Sequence, residues 1–307
     1  MSPRRGERLM VPDAEFTSYY GRPILKSPTW KVPDVPLYLY LGGAAGTSAC
    51  LGALADLTGR GSLRRWGRVG ALTGALVSVG ALVHDLGRPR RFLHMLRVLK
   101  PTSPMSVGSW LLAGYAPLAG IAAAGAVTGR APRIGAAATG GAAVLGPAVA
   151  AYTAALIADT AVPAWHDGHR ELPYVFVGSA ATAAGGLGLL AAPVADHRPA
   201  RTLALLGVAG ELTVFEHMTR RMGLVGEPYR TGSSGKLIRA GEVLAVGGAV
   251  GAVLGRRRRL TAALSGAALL AASACTRFGI FAAGLASARD PRYTVEPQRE
   301  RLRERED

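Results

Sequence analysis

No aspartate, glutamate, lysine or arginine occurs in the stretch LPYVFVGSAATAAGGLGLLAAPVA, residues Leu172–Ala195. About 20 consecutive apolar residues are enough for an α-helix to cross the hydrocarbon layer of a bilayer. Three further stretches of similar length also lack charged side chains: Val35–Ala55, Pro101–Gly129 and Ile134–Ala158. Four such segments in one chain are hard to explain as core helices of a soluble, alanine-rich protein, and they favour a membrane protein.

The composition of the whole chain supports this interpretation. Of its 307 residues, 49% are hydrophobic and only 18% are charged, which is less charge than a typical soluble domain carries. A net charge of +16 would suggest nucleic-acid binding in a soluble protein. Here, however, the basic residues lie between the apolar segments, as in the block Arg256–Arg259, and this is typical of loops at a lipid surface. We therefore predict a multi-pass protein of the cytoplasmic membrane and no nucleic-acid partner.

The spacing of the apolar segments predicts an all-α polytopic protein with about eight transmembrane helices. The predicted helices cover residues 35–56, 67–86, 105–128, 134–160, 173–195, 202–219, 238–255 and 260–284. A polar, proline-containing N-terminal lead, residues 1–34, shows no cleavable signal peptide and is expected to lie at the membrane interface. The transmembrane domain then covers residues 35–285. The charged tail, residues 286–307, is expected to be extended or disordered.

Glycines recur four residues apart inside the predicted helices. Small residues at this spacing allow helices to approach closely in lipid, where no hydrophobic force drives them together. The pattern predicts a tight bundle rather than a wide pore, with packing faces at Gly42 and Gly46, Gly70 and Gly74, and Gly247 and Gly251.

The short loops between the helices also carry information about orientation. With eight helices, both termini lie on one side, and the short loops of the other side, with adjoining helix ends, carry 12 of the 36 lysines and arginines and few acids. Positive charge in short loops marks the cytoplasmic side, and this favours a cytoplasmic position for the short loops.

Ionisable groups near or inside the predicted helices are candidates for function, because a charge at membrane depth is costly and usually marks a site or a pathway. Structural alternatives remain open: His84 and Asp85 could cap a helix at the headgroups, and Glu216 could pair with Arg220. The candidates are His84 and Asp85 at the end of helix 2, Tyr152 and Asp159 on one face of helix 4, Glu211 and Glu216 in helix 6, Glu242 in helix 7 and Arg277 in helix 8. A further alternative is that Glu211 and Glu242 form a buried ion pair with Arg277.

Metal and haem ligands are scarce in this sequence. An iron–sulfur cluster normally needs four thiolates, and the two cysteines, Cys50 and Cys275, both lie in apolar segments. Only His84 and His217 lie near helix interiors, and no HExxH, paired CxxC or P-loop motif is present. We therefore expect no metal site, haem or iron–sulfur cluster on this chain. Buried acid, histidine and tyrosine groups instead suit proton handling beside an apolar ligand.

Two stretches resemble the polysulfide reductase NrfD/PsrC family of membrane subunits. The longer is HDLGRPRRFLHMLRVLKPTSPMSVGSWLL, residues His84–Leu112, and the second is YTAALIADTAVPAW, residues Tyr152–Trp165. The Gly42–Gly46 face of helix 1 also fits, and the resemblance covers about residues 15 to 290. In the longer stretch the marks of the family are Asp85, Arg88, Pro89, Arg91, Phe92, Pro101, Ser103, Pro104, Met105, Gly108 and Trp110.

This resemblance implies an eight-helix anchor made of two four-helix halves, with no haem or cluster of its own. It also implies an exchangeable quinone, typically menaquinone, bound near one membrane face. The protein would dock a ferredoxin-like iron–sulfur subunit that connects to a molybdopterin catalytic subunit. The quinone of the family lies between the start of helix 1, the end of helix 2 and the tyrosine of helix 4. On this sequence those positions are Asp34 and Tyr38, His84 and Asp85, and Tyr152. Some relatives carry a histidine early in helix 1, where this chain has Leu37 and Tyr38.

The expected chemistry follows from these positions. Tyr152 or His84 would hydrogen-bond a quinone carbonyl, and Asp85 or Asp159 would relay protons. Docking is expected at the loop 87–103 and at the loop after helix 6. Two alternatives remain open: a membrane anchor without redox chemistry, and a transporter or proton-conducting protein that uses the relay candidates Glu211, Glu242 and Arg277.

Overall fold

The computed structural model describes residues 24–86 and 94–306, with side chains to residue 304. The described part consists of helices and turns and contains no strand. Its long helices are α1 Asp34–Leu57, α2 Gly61–Asp85, α3 Pro104–Thr128, α4 Pro132–Ala158, α5 Leu172–Ala191, α6 His197–Arg221, α7 Gly232–Leu254, α8 Arg259–Arg289 and α9 Arg292–Glu306. A one-turn helix, Pro163–Asp167, precedes α5, and 3-10 turns occur at Val194–Asp196 and Gly223–Tyr229.

The all-α polytopic fold expected from the uncharged segments is confirmed. Among the described residues, seven helices are long and apolar enough to cross a membrane, namely α1 to α5, α7 and α8. The eighth, α6, is also 25 residues long but carries Glu211, Glu216 and two terminal arginines. It packs along α5 and so completes the bundle.

The helices form two similar four-helix halves, as the resemblance implied. In the first half α1 packs against α2 and α4, and α3 completes the ring between them. In the second half α5 packs in the same way against α6 and α8, and α7 completes that ring. The halves meet mainly through α1 and α5, with α4 and α8 beside them. Large aromatic side chains, among them Tyr38, Tyr115, Trp165 and Phe176, are fully buried in the interior.

Helices that alternate in direction give the bundle two ends, which we call face A and face B. Face A contains the start of α1, the end of α2, the start of α3, the end of α4 and the helix Pro163–Asp167. The turn Gly223–Tyr229 and α9 also lie on face A. Face B contains the short turns that connect α1 to α2, α3 to α4, α5 to α6 and α7 to α8.

Two helix ends differ from the sequence-based expectation. The charged tail is helical over α9 rather than extended, and an ion pair of 2.6 Å between Arg292 Nη2 and Glu227 Oε2 ties its start to the turn Gly223–Tyr229. Helix α2 begins at Gly61 rather than at residue 67, and both Arg64 in its first turns and Arg68 pair with Asp56 at the end of α1, at 3.3 and 2.6 Å. Tyr19 and Tyr20 of the lead, and the motif residues Arg88, Pro89, Arg91 and Phe92, lie outside the described residues.

Glycines bring the helices into backbone contact, as predicted. A Cβ atom on Gly46 would lie 2.3 Å from the carbonyl oxygen of Gly146, where α1 crosses α4. At the equivalent crossing of α5 and α8, a Cβ atom on Gly186 would lie 2.8 Å from the carbonyl oxygen of Gly266. Of the six glycines singled out from spacing, only Gly247 has no atom of a described residue within 4 Å of such a Cβ, so its predicted packing role is wrong.

We expect Gly46→Ala to destabilise the protein, because the added methyl meets backbone that cannot rotate away. Overpacking of this kind typically costs about 1–3 kcal/mol. The measurement is the thermal unfolding temperature of the detergent-solubilised protein. Gly80→Ala is the matched control, since a Cβ there meets nothing within 4 Å. Equal unfolding temperatures for the two variants would contradict the role of this crossing.

Candidate functional site

Two tyrosines from distant parts of the chain meet in the first half, close to face A. The Tyr38 hydroxyl of α1 donates a hydrogen bond of 2.8 Å to the Tyr152 hydroxyl of α4. Tyr38 is 1% exposed and Tyr152 is 8% exposed. The carbonyl of Tyr38 accepts a bond of 3.2 Å from the hydroxyl of Ser78 on α2, which links the pair to a third helix. Because Tyr152 accepts the bond from Tyr38, its own proton is available to another acceptor.

A second polar pair lies one helical turn away. His84 Nδ1 at the end of α2 lies 2.7 Å from Asp34 Oδ2 at the start of α1. The His84 side chain is 74% exposed, whereas that of Asp34 is 14% exposed. Asp34 and Tyr38 are four residues apart and therefore share a face of α1. The structure thus brings four predicted residues, Asp34, Tyr38, His84 and Tyr152, to one end of the first half.

The remaining two predicted acids of this region have different surroundings. Asp85 Oδ1 accepts a hydrogen bond of 3.0 Å from the backbone N–H of Lys31, so it fastens the lead to the end of α2. Next to that contact, Trp30 stacks on Trp165 with ring centroids 5.5 Å apart. Asp159 follows the last residue of α4 and is exposed. It lies about 10 Å beyond Tyr152 along the helix axis.

The second half contains a separate buried polar cluster. Arg277 of α8 is fully buried, and its guanidinium donates to the carbonyl of Phe176 and lies 3.7 Å from the centre of the Phe176 ring. Two other Arg277 nitrogens, Nε and Nη1, have no hydrogen-bond partner among the described residues. Glu211 is 3% exposed and accepts a hydrogen bond of 3.4 Å from Thr182.

The buried ion pair that the sequence left open as an alternative does not form in the described residues. Within the described residues neither Glu211 nor Glu242 lies within 4.0 Å of Arg277, so that interpretation is wrong. Glu211, Glu242 and Thr276 instead line a cavity of about 10 Å³ between α6, α7 and α8. The expected pair of Glu216 and Arg220 is confirmed at 2.6 Å.

Face A also carries an ion pair in the second half of the bundle. Glu171, just before α5, binds Arg221 at the end of α6 with a distance of 2.7 Å from Nε to Oε1. Burial raises the pKa of the Glu171 carboxyl, but the hydrogen bonds and charge of Arg221 outweigh it and leave that pKa below its ordinary value. A cavity of about 540 Å³ lies between the helix Pro163–Asp167, residues 221–225 and α9. No group of three or more His, Cys, Asp or Glu residues that could hold a metal ion occurs in the described part of the chain.

A comparison with known protein families identifies the family of this chain. The family model described as "Polysulphide reductase, NrfD" matches residues 25–287, which is most of the chain. The chain belongs to the NrfD family. This confirms the resemblance inferred from the stretch His84–Leu112. A search of curated proteins gives no match.

One feature of the site in this NrfD-family chain could not be anticipated from residue chemistry. A Cβ atom on Gly108 of α3 would lie 1.8 Å from Cζ of the Tyr152 ring. The ring therefore lies directly on the backbone of α3, and only glycine leaves room for it. Gly108 was singled out as part of the motif PMSVGSW, but its contact with Tyr152 appears only when α3 and α4 are packed together.

A second feature was missed because the relevant residues look ordinary. The hydroxyls of Ser179 on α5 and Ser273 on α8 lie 2.9 Å apart in the interior of the second half. Ser179 lies seven residues before Gly186, and Ser273 seven residues after Gly266. The tyrosine pair lies at a similar distance from the crossing of α1 and α4 at Gly46 and Gly146. The two halves of this NrfD-family protein therefore carry different polar pairs at similar places.

Proposed function

We propose that this chain is the membrane anchor and quinone-reactive subunit of a respiratory oxidoreductase in the cytoplasmic membrane. It would pass electrons between a partner iron–sulfur subunit and the menaquinone pool. NrfD-family proteins are generally the quinone-interacting membrane subunits of oxidoreductase complexes. The observation that carries the proposal is the tyrosine pair Tyr38–Tyr152 one turn from the pair Asp34–His84, both at face A.

The geometry suits a substrate that exchanges protons as well as electrons. Reduction of a quinone to a quinol takes up two electrons and two protons, and oxidation releases them. Tyr152 has a proton that it can donate to a carbonyl oxygen of the ring. His84 is exposed, lies 2.7 Å from the Asp34 carboxylate and can exchange protons with water. The apolar side chains around the pair would hold the ring and its tail.

The two outer acids receive supporting roles in this proposal. Asp159 is exposed at face A and would exchange protons with water beyond the end of α4. Asp85 would keep the lead in place through the Lys31 N–H and so shape the entrance to the site. Both roles rest on position alone, because within the described residues neither carboxylate forms a hydrogen bond with Tyr38 or Tyr152.

Electrons must come from a cluster on another chain. Because the proposed quinone site lies at face A, the partner should dock there. We propose that a ferredoxin-like iron–sulfur subunit, connected to a molybdopterin catalytic subunit, contacts the loop 87–103, the turn Gly223–Tyr229 and α9. Of that loop, residues 94–103 are described. The arginine-rich turns of face B would then face the cytoplasm, following the positive-inside rule, and face A would lie on the opposite side.

Purification of the tagged full-length chain from its native membranes tests this proposal. Iron–sulfur and molybdopterin subunits should co-purify, and the complex should oxidise or reduce a soluble menaquinone analogue. A complex that assembles with those subunits but shows no dependence on quinone would identify the chain as an anchor without redox chemistry. A chain that co-purifies with neither subunit would contradict the proposed partners.

We expect His84→Ala to lower quinone turnover by roughly 100-fold, near the lower end of the range for losing a proton-transfer group. The assay is steady-state turnover of the menaquinone analogue by the purified complex. His169→Ala is the matched control, because His169 is also an exposed histidine of face A and bonds only the carbonyl of His166. Unchanged turnover in both variants would remove His84 from the site.

A second candidate function, proton transfer through the second half, is favoured by one observation. Glu211 and Glu242 line the same small cavity and lack an ion-pair partner within the described residues, although Glu211 is almost fully buried. Proteoliposomes that contain the chain alone should then take up protons when a membrane potential is applied. Glu211→Gln should abolish that uptake, whereas the exposed control Glu216→Gln should not. Absence of uptake by the unmodified chain would exclude autonomous conduction.

A further inference from the structure

An apolar groove runs along the seam between the two halves. It lies between α1, α2, α5 and α8 and has a volume of about 260 Å³. Its wall on α2 includes the exposed side chains of Trp66 and Val77, so the groove opens towards lipid. Tyr40 bonds the carbonyl of Leu270 at its far side, which closes the groove towards α8. The groove is therefore an indentation of the lipid-facing surface rather than an internal cavity.

Glycines of α2 allow its close approach to α5 and α1 along the groove. A Cβ on Gly70 would lie 2.4 Å from Cδ2 of Leu187 on α5, and a Cβ on Gly74 would lie 3.0 Å from Cβ of Ala45 on α1. These contacts leave no room for a side chain at either position. In a bilayer an apolar indentation cannot stay empty, because its walls would lose their dispersion contacts, and water gains no polar partners there. Hydrocarbon must occupy it.

The charge at one end of the groove favours a lipid with an anionic headgroup. Trp66 and Leu187 lie at the end nearest face B. Arg65 is exposed and lies one turn before Val69, on the groove side of α2. Arg65 forms no ion pair or hydrogen bond with the residues that the structure describes. An anionic headgroup at this depth would meet an unpaired guanidinium.

The other arginines of face B add to the positive charge of Arg65. Twelve arginines lie in its turns and the adjoining helix ends, against two acids, Asp56 and Asp196. Asp56 already pairs with Arg64 and Arg68, and Asp196 lies 3.9 Å from Arg60. Positive charge of this density attracts anionic lipids. Within the described part of the chain, the arginines of face B without acidic partners are Arg65, Arg130, Arg133, Arg198, Arg201 and Arg256–Arg259.

We propose that an anionic phospholipid occupies this groove, with an acyl chain along α2 between Trp66 and Val77 and its phosphate on Arg65. The length from Trp66 to Val77 is about 16 Å along the helix, which suits an acyl chain reaching inward from the headgroup level. This site is distinct from the tyrosine pair. Tyr38 and Tyr40 are two residues apart on α1, and so they point to nearly opposite sides of that helix.

Native mass spectrometry of the detergent-purified full-length protein tests the proposal. The protein is stripped of lipid and then titrated with phosphatidylglycerol or phosphatidylcholine. We expect one tightly retained phosphatidylglycerol. Thr73→Phe should abolish its retention, because Thr73 lines the groove and is exposed, so the ring fills the groove without displacing packed side chains. Leu76→Phe is the matched control, since Leu76 is exposed on the same helix but does not line the groove.

The headgroup part of the proposal has its own pair of variants. Arg65→Gln should reduce the preference for phosphatidylglycerol over phosphatidylcholine by about fivefold, the effect of one basic residue near an anionic surface. Arg130→Gln, at the turn between α3 and α4, should leave that preference unchanged. Equal lipid retention by the Thr73 and Leu76 variants would overturn the groove assignment. Retention of a bound quinone, formation of a dimer at the seam, or binding without headgroup preference would each overturn the assignment to an anionic phospholipid.

Discussion

Tyr152→Phe is expected to lower quinone turnover by about 100-fold and to lower the free energy of unfolding by about 1–3 kcal/mol, because the buried Tyr38 hydroxyl loses its acceptor. The substitution removes one hydroxyl and keeps the ring that lies on α3. In the proposed site that hydroxyl is the donor to the quinone oxygen, where negative charge develops during reduction. Loss of one such donor in an enclosed site typically costs about 10²–10³-fold in rate. The measurement is steady-state turnover of a menaquinone analogue by the purified complex.

A control for this prediction must remove a buried tyrosine hydroxyl elsewhere. Tyr115 on α3 is fully buried, and its hydroxyl donates to the carbonyl of Ala45 at 2.6 Å. Tyr115→Phe therefore tests the general effect of losing a buried hydrogen bond in the same half of the bundle. We expect it to retain turnover within a factor of about two or three, since the lost bond contributes only about 1 kcal/mol to stability and this hydroxyl takes no part in the proposed quinone contact. Equal losses in the two variants would attribute the Tyr152 effect to the general loss of a buried hydrogen bond.

Gly108→Ala is expected to abolish quinone turnover and to destabilise the protein as well. The new methyl would overlap the Tyr152 ring, since its Cβ would lie 1.8 Å from Cζ and 2.2 Å from the hydroxyl oxygen. The ring must move, and its hydroxyl then leaves the bond with Tyr38. A displacement of this kind combines the loss of the donor with a packing cost of about 1–3 kcal/mol. Turnover and unfolding temperature of the same purified preparation measure both effects.

Gly120→Ala provides the matched control for Gly108→Ala. Gly120 lies on the same helix, and a Cβ at that position meets nothing within 4 Å. We expect normal turnover and an unfolding temperature equal to or slightly above that of the original protein, because alanine is the better helix former. Full activity in the Gly108→Ala variant would show that Tyr152 does not need its observed position.

The membrane-spanning helices could be predicted because the relevant signal is local. An uncharged segment such as Leu172–Ala195 is long enough to cross a bilayer whatever the rest of the chain does. The failures involve contacts between distant residues. The tail after Arg289 has a composition typical of disorder, yet it is helical where Arg292 pairs with Glu227, 65 residues earlier. Arg64 likewise lies outside the predicted helix 67–86, yet it is helical and pairs with Asp56 of α1.

The candidate site could likewise be predicted where the signal is local, and not where it depends on contacts between distant residues. Motif residues identified Tyr152 and His84 as members of one region, and Asp34 and Tyr38 followed from the resemblance. No local pattern could reveal that the hydroxyls of Tyr38 and Tyr152, 114 residues apart, form a direct hydrogen bond. The packing of α3 on α4, which gives Gly108 its role, is also a tertiary effect. In the second half, charge alone suggested that Glu211 pairs with Arg277, whereas the folded helices give Arg277 the carbonyl and ring of Phe176.

The central claim is that quinone binds beside the tyrosine pair at face A. Photo-crosslinking tests it most directly, with a menaquinone analogue that carries a photoreactive group on its ring, the purified complex and mass spectrometry of the labelled peptides. We expect label on the segments that contain Tyr38, His84 or Tyr152, and loss of that label when unmodified menaquinone competes. Competed label confined to helices α5 to α8, or to the groove at Trp66, would contradict the claim.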